Sequence, residues 1–546
     1  MFESVALRRF CLVLCTLFCL APAHAANEAA LSIQEMLLAG ALPVLKPTRF
    51  GDLKEPLQRF YGAGEFAPVW MKDGKPTARG KQALALLELA QSHGLEPADY
   101  SLPELEQRFQ HPMPPQALET DVALSAALFR FLSDLHGGRV NSRQMSFEID
   151  AVPRRLDLPV LLREALGRER LPALVEEVAP RFGVYERLRQ ALATWRQVPA
   201  AAPLPVVKKL EPGQPYGALA ALARRLVALG DLPPGSAVPA RYEGAVVDAM
   251  KHFQARHGLV ADGVVGRGSF EALNTPPSVR VRQIELAMER FRWLLPPESK
   301  SGKTVGVNIP EFRLRALEMK SGRLETRLAM DVIVGKALDT RTPLFDEDMR
   351  SIEFKPYWNV PLSIAKGEML PKLHKNPDYL AKAAMEFVPV GGGAATTAVT
   401  PEALAAVARG ALRIRQRPGG KNALGDIKFV LPNNMNIYLH HTSSPALFKK
   451  SRRDLSHGCI RVEDPVALAK FVLEDQAEWT EARIRSAMDA DKPSSVHLLH
   501  PVPVLIFYTT AVVEADGRTL FLPDVYGLDG KLDAALKQRS ARLAAP

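Results

Sequence analysis

Hydrophobic and polar positions change period along the chain, and the changes mark its domains. From residue 26 to 197 the apolar positions recur at helical spacing. Ala83, Leu84, Leu86, Leu87 and Ala90 line one face, Thr77 stands where a cap is needed, and Gly94 follows as a stop. The same spacing returns over Leu124–Leu135 and Leu158–Val175, which predicts a helical scaffold domain. Proline and alanine crowd Val198–Pro205, and Pro212-Gly213-Gln214-Pro215 follows, so 198–214 reads as a semi-rigid linker. Helical text resumes over 215–276. Val246, Met250 and Phe253 share a face, His257-Gly258 ends that helix, Asp262-Gly263 makes a turn, and Gly266 opens a short helix with Phe270 and Leu273. This predicts a small three-helix module, and 277–300 predicts a helical connector.

Beyond residue 300 the period falls to two. Thr304–Ile309, Arg313–Met319 and Glu325–Val334 alternate and are rich in β-branched residues, with Ser321-Gly322 as a hairpin turn. Ser351–Lys355, Ile427–Leu431 and Asn436–His440 add short strands, so 301–527 predicts a β-rich domain. It carries an insertion at about 363–411 with helical text and the run Gly391-Gly392-Gly393. Insertions of that length are lids over active sites or tolerated surface loops. Residues 528–546 form a C-terminal tail. The fold class is multidomain α+β.

The amino terminus has its own pattern. Arg8 and Arg9 precede an apolar run from Phe10 to Leu20 and the small-residue text Ala23-His24-Ala25, which reads as a signal peptide cleaved after residue 25. The run is about half of what a membrane span needs, and no later stretch is long and apolar enough for one. An exported, periplasmic chain is expected. Three of the four cysteines, Cys11, Cys15 and Cys19, lie in the removed segment, so the mature protein keeps Cys459 alone and can form no internal disulfide. The segment also takes two arginines and one glutamate with it, leaving one positive charge fewer than the +10 of the whole chain. A basic exported protein suits an acidic polymer; the export signal and the lack of a long Lys/Arg block argue against nucleic acid.

The candidate chemistry lies in Ile437-Tyr438-Leu439-His440-His441-Thr442 and in Asp454-Leu455-Ser456-His457-Gly458-Cys459-Ile460-Arg461-Val462. A thiol attacks as thiolate, so it needs a base or positive potential nearby, and such surroundings lower its pKa. His440 or His441 ends a strand and His457 precedes the thiol by two residues. Gly458 lets the backbone approach a substrate, and amides beside it can face an oxyanion. Zinc is the rival use of these residues. Adjacent strand histidines face opposite ways, which leaves three ligands and no carboxylate, so the reading is nucleophilic catalysis with no metal and no cofactor.

Ser456-His457-Gly458-Cys459, with a histidine nineteen residues before the cysteine, resembles the L,D-transpeptidase family with its YkuD-type catalytic domain. Tyr357-Trp358-Asn359-Val360-Pro361, Pro418–Gly425, Leu505–Tyr508 and Asp516-Gly517 resemble its large periplasmic type. Phe253, Gln254, Gly258, Leu259, Asp262, Gly263 and Gly266 resemble a peptidoglycan-binding type 1 module, with Ser269 where that family often has Thr. These resemblances imply that Cys459 attacks the carbonyl between meso-diaminopimelate and the terminal D-alanine of a tetrapeptide stem. They imply His440 as base, oriented by a backbone carbonyl such as that of His441. His457 would support the thiolate or oxyanion, and Gly458 and Cys459 would donate amides. Arg461, Ser456, His441, Tyr438, Trp358 and Asn359 would line the substrate groove. Peptidoglycan glycan and stem peptides are the implied partners, other cell-wall synthesis enzymes further candidates, and a carbapenem an expected acylating agent. Hydrolysis, amine exchange or anchoring of a wall protein would use the same residues. A wall-binding protein with a dead catalytic domain is the non-enzymatic alternative, against which the intact cysteine and histidines count.

Overall fold

A computed structural model describes residues 27–145, 147–148, 156–294, 301–338 and 340–544, so the expected signal segment lies outside the described residues. Among the described residues no helix is long and apolar enough to cross a membrane.

The helical scaffold is organised by Ala117–Gly137, a helix buried around most of its circumference. Its Asp121 carboxylate accepts the backbone N–H groups of Val69, Trp70 and Met71 and the Tyr61 hydroxyl, which pins the start of the short hairpin Met71–Lys72/Lys75–Pro76 to the helix. Thr77 caps Ala78–Glu88 by accepting from the Gly80 N–H, and Gly94 turns the chain away at φ 68°. The connector Pro277–Arg292 packs against Gly183–Arg196 and carries the buried Glu289, which meets Arg139 and Arg292. The segment expected only as a C-terminal tail is a helix, Leu528–Ala544. It docks because Leu532 and Leu536 bury their side chains and Arg539 pairs with Asp134 at 2.7 Å. Its first turn carries Asp529, which receives Arg290 of the connector at 2.6 Å.

The three helices Leu219–Ala228, Ala245–Arg256 and Arg267–Leu273 enclose a separate core around Phe253, Tyr242 and Leu222. Gln254 explains the turn text of this module. Its side chain accepts from the Gly263 N–H and donates to the Val264 carbonyl and Ser269 Oγ, locking the turn to the helix. The module leans on the β-rich domain through His257, stacked on Phe521 with ring centres 5.9 Å apart.

In the β-rich domain the strands are β1 Lys303–Asn308, β2 Arg313–Lys320, β3 Arg323–Gly335, β4 Leu344–Phe354, β5 Ile427–Val430, β6 Leu439–His440, β7 Asp454–Ser456, β8 Ile460–Val462 and β9 Ser494–Phe507. They run in the order β5-β6-β8-β3-β2-β1-β9-β4, and β4 pairs again with β5, which closes a mixed barrel of eight strands. β7 adds in parallel to the end of β3. Ser321 and Gly322 both take positive φ between β2 and β3, the twist a two-residue hairpin requires. Phe429, Leu439, Ile460 and Val462 fill the interior.

Between β4 and β5 the chain leaves the barrel and builds a layer of its own. Trp358–Asn359, Leu412–Gln416 and Met385–Pro389 form a three-stranded sheet in that spatial order. Leu373, Leu380, Phe387, Val407 and Ile414 make its core. A long excursion can hold its shape only with such a core, because a bare loop of that length has nothing to offset its conformational entropy.

Candidate active site

Strand pairing places the candidate residues. β6 and β8 are parallel with His440 opposite Arg461, and β5 sets Lys428 opposite His440. Residues directly across a ladder share a face. Leu439, Ile460 and Phe429 point into the barrel; the alternate residues Tyr438, His440, Cys459, Arg461 and Lys428 therefore share its outer face. The inserted layer lies over them.

Cys459 sits half-buried in a turn between β7 and β8. Gly458 makes the turn possible at φ +117°, a region closed to most side chains, and Thr342 Oγ1 donates to its carbonyl at 2.7 Å. The Cys459 thiol donates to the Asn436 carbonyl at 3.4 Å. Burial pushes the thiol above its ordinary range, opposed by donors from the Tyr438 backbone and hydroxyl and by the charges of Lys428 and Arg461. Burial raises the Tyr438 hydroxyl pKa, as does the neighbouring Cys459, and Trp358 opposes the shift. Lys428 lies 4.8 Å from the centre of the Tyr438 ring.

His440 is buried, and its Nδ1 lies 2.5 Å from the His441 carbonyl. A carbonyl only accepts, so Nδ1 carries the proton and Nε2 keeps a lone pair. Burial, then the neighbouring Arg461 charge, lowers the His440 pKa to about 3. Burial thus disfavours the charged form of each group. The expectation of a lowered thiol pKa is corrected here, because burial of the pair outweighs the charges around it.

The histidines part as strand alternation demands. The His441 ring turns to Asp426, 3.5 Å away, and meets the site only through its carbonyl. His457 is partly exposed, with Nε2 2.5 Å from Glu368 Oε1. Glu368 comes from Ala365–Met369 of the inserted layer, a π-helical turn of the kind that recurs at functional sites. Burial would raise the Glu368 pKa, but His457 and the lysines Lys372 and Lys336 hold it below its ordinary value.

Two expected groove residues lie elsewhere. Ser456 is buried, donates to the Cys459 carbonyl at 2.6 Å and accepts from the Gly458 N–H at 3.1 Å, so its hydroxyl shapes the turn and cannot face a substrate. The same bond occupies the Gly458 amide, expected as an oxyanion donor; among the described residues no acceptor meets the Cys459 N–H. Asn359 is exposed and points away from Trp358, its neighbour on a two-residue strand. Glu368, Asn436 and Lys428 were not expected at the site. Lys428 had a signal, since it falls in register with His440 on a predicted strand. Glu368 had none, being 89 residues from its partner.

Comparison with known proteins assigns a family to each region of the chain. Residues 302–492 match the family described as the L,D-transpeptidase catalytic domain, YkuD. Residues 217–273 match one described as "Putative peptidoglycan binding domain", and residues 55–192 match one described as "Scaffold domain". A Haemophilus influenzae protein described as "Putative L,D-transpeptidase" is 32% identical over 252 residues, 46% of this chain and 49% of its own length. The chain thus spans about half the length of that curated relative. The solved L,D-transpeptidase of Xylanimonas cellulosilytica is 16% identical, covers 56% of this chain and 99% of its own, and superposes with a TM-score of 0.17. A Clostridium acetobutylicum structure titled as a fused Zn-dependent amidase/peptidase/peptidoglycan-binding domain-containing protein is 11% identical, covers 55% and 99%, and has a TM-score of 0.15. Scores that low carry no argument about the fold. With its cysteine turn, its histidine strand and these matches, the chain carries an L,D-transpeptidase catalytic domain of the YkuD family, joined to a peptidoglycan-binding domain and a scaffold domain.

Proposed function

We propose that the protein is a peptidoglycan L,D-transpeptidase that forms 3→3 cross-links between diaminopimelate residues, with Cys459 as nucleophile, His440 as base and D-alanine as leaving group. The observation that carries this reading is the locked tautomer of His440 on the face that also bears Cys459 and the Tyr438 hydroxyl. On binding of a tetrapeptide stem, the Cys459 proton passes to His440 Nε2 as sulfur attacks the carbonyl of diaminopimelate. The oxyanion faces the Cys459 N–H. As the C–N bond breaks, His440 returns the proton to the departing D-alanine amine, leaving a thioester. The side-chain amine of a second stem then attacks, gives its proton to His440, and the expelled thiolate recovers it.

A pair disfavoured in its charged forms suits such a mechanism. Proton transfer then accompanies attack, and the unoccupied thiol is guarded against oxidation in an exported protein. Removal of residues 1–25, a periplasmic location, retention of glycan by the three-helix module, and contacts with other cell-wall synthesis enzymes belong to the same reading. Muropeptide profiling of cells producing the protein tests it. New diaminopimelate-to-diaminopimelate dimers are expected; shortened stems alone point to hydrolysis, and an unchanged profile overturns the enzymatic reading.

A further inference from the structure

The turn that carries Cys459 is tied down by two hydroxyls. Ser456 Oγ accepts from the Gly458 N–H at 3.1 Å and donates to the Cys459 carbonyl at 2.6 Å, while Thr342 Oγ1 donates to the Gly458 carbonyl at 2.7 Å. These bonds occupy three of the four backbone polar groups of Gly458 and Cys459; among the described residues only the Cys459 N–H of the four meets no acceptor. The Gly458 carbonyl and the Cys459 N–H belong to one planar trans peptide, so they point in opposite directions. Whatever holds that carbonyl therefore also aims that N–H. The hold is needed, because Gly458 at φ 117° brings a glycine's freedom to the turn and would let the peptide rotate.

Thr342 is itself fixed at both side chain and main chain. It lies in the loop from β3 to β4, 116 residues from Gly458, and is 2% exposed. Its hydroxyl accepts from the Gly335 N–H at 2.9 Å; an amide only donates, so the hydroxyl proton is left for Gly458. Its own N–H donates to the Tyr526 hydroxyl at 3.2 Å, which donates onward to the Gly335 carbonyl at 2.6 Å. The loop can lie this close because residue 335 is glycine. A Cβ there would run into the Thr340 carbonyl and stand 2.7 Å from the Thr342 nitrogen. The end of β3 and the tyrosine before the C-terminal helix thus set the position of a hydroxyl that reaches the catalytic turn.

We propose that Thr342 is a positioning residue for the transfer reaction: its bond to the Gly458 carbonyl aims the Cys459 N–H at the oxyanion that forms when sulfur attacks a carbonyl, and Tyr526 holds Thr342 in place. This rests on the acyl-transfer reading above and deepens it. A donor stabilises developing charge fully only when it already points at it, since turning a peptide during the reaction costs part of what the new bond returns. Attack of the same sulfur on a saturated carbon forms no oxyanion. The Thr342 hydroxyl therefore matters to acylation of Cys459 and not to its alkylation.

The test compares two reactions of Cys459 in the full chain, both followed by intact-protein mass: acylation by a carbapenem, which passes through an oxyanion, and alkylation by iodoacetamide, which does not. Thr342→Val keeps the shape of the side chain and removes the hydroxyl. It should slow acylation, and kcat on a tetrapeptide stem, roughly 10- to 100-fold, a little less than loss of a whole oxyanion donor. KM, the alkylation rate and its pH midpoint should stay within about twofold, the mark of a contact that counts only in the transition state. Thr342→Ser should return acylation to near the parental rate, and Tyr526→Phe should slow it by a smaller factor than Thr342→Val. Acylation unchanged in Thr342→Val overturns the proposal. So does acylation that falls no further than alkylation, which would mean that the hydroxyl only keeps the turn folded. Should Thr342→Val fail to fold, Tyr526→Phe decides: acylation slowed more than alkylation supports the proposal, and equal changes overturn it. If Thr342 governs acylation but the wild-type protein turns over no stem peptide, the cross-linking reading fails and the positioning role stands. If stem peptide is turned over and the two reactions change alike, the positioning role fails alone.

Discussion

Two regions of this protein withdraw charge from water, and they do so differently. In the seam between scaffold, connector and C-terminal helix, Glu289 is fully buried yet meets Arg292 at 2.8 Å and Arg139 at 3.3 Å, and Asp134 meets Arg539 at 2.7 Å. Burial would raise the Glu289 pKa, but the two arginines and the Arg139 and Val140 amides hold it below its ordinary value. On the outer barrel face the balance is reversed. Cys459 and His440 are both pushed toward their neutral forms, and among the described residues Arg461 has no counterion. A satisfied network specifies how domains sit together, whereas an unsatisfied one stores polar capacity for something that is not part of the chain.

The sharpest way to break this comparison is at Cys459. Cys459→Ala should remove all transfer activity and all covalent addition of a carbapenem, read by intact-protein mass, while stability changes by no more than about 1 kcal/mol for a half-buried sulfur. Any adduct on the variant would remove the thioester step from the mechanism. His440→Ala should follow, slowing acylation roughly 10²- to 10⁴-fold. His441→Ala keeps the carbonyl that orients the ring and should cost less than about tenfold. Alkylation of wild-type Cys459 should rise only above the ordinary thiol range of about pH 8.5, because burial favours the neutral thiol. A midpoint well below that value would mean a resting thiolate–imidazolium pair.

Stability measurements sharpen the contrast from the other side. Glu289→Ala strips two buried arginines of their partner and should cost about 3–5 kcal/mol in denaturant unfolding. Removing the unpaired Arg461 should cost almost nothing or stabilise the protein, the usual sign of a site whose strain serves function. The Glu289 contribution also has a pH signature. Its folded pKa is depressed, so the stabilisation is complete above the unfolded value of about 4.3 and is lost as pH falls through the folded one.

Much of this was legible in the sequence where local rules decide. The Thr77 cap, the Ser321-Gly322 hairpin and the Asp262-Gly263 turn follow from residue chemistry at short range. The divergence of His440 and His441 follows from the two-residue period of a strand. What could not be read depends on distance or on burial. The hydroxyl of Ser456 turns inward because three residues later the chain offers a carbonyl at 2.6 Å, which no motif announces. The direction of the Cys459 shift depends on its burial, which no local pattern announces. The helix Leu528–Ala544 gains its place from Asp134, 405 residues before its partner Arg539.

The smallest expected effect concerns how the insertion is held. Glu368 and His457 are joined at 2.5 Å, yet their side chains are 39% and 33% exposed, so solvent screens the pair and its worth is that of a surface bridge, about 0.2–1 kcal/mol. Glu368→Gln should therefore leave global stability unchanged. What it should change is local: amide exchange in Leu370–Lys375 and Tyr379–Lys382 should quicken by at most about fivefold, the factor that 1 kcal/mol allows. His457→Ala should do the same, and the double variant no more, because both remove one contact. The depressed Glu368 carboxylate sets the direction with pH. Protonation of Glu368 weakens the bond as pH falls through the lower folded value, with Lys372 at 3.7 Å supporting the charge meanwhile. Exchange that is identical in wild type and Glu368→Gln would show that the hydrophobic contacts of the insertion hold it unaided. Exchange that quickens throughout the barrel would show that the pair belongs with the satisfied network of the domain seam, and the division between the two regions would have to be redrawn.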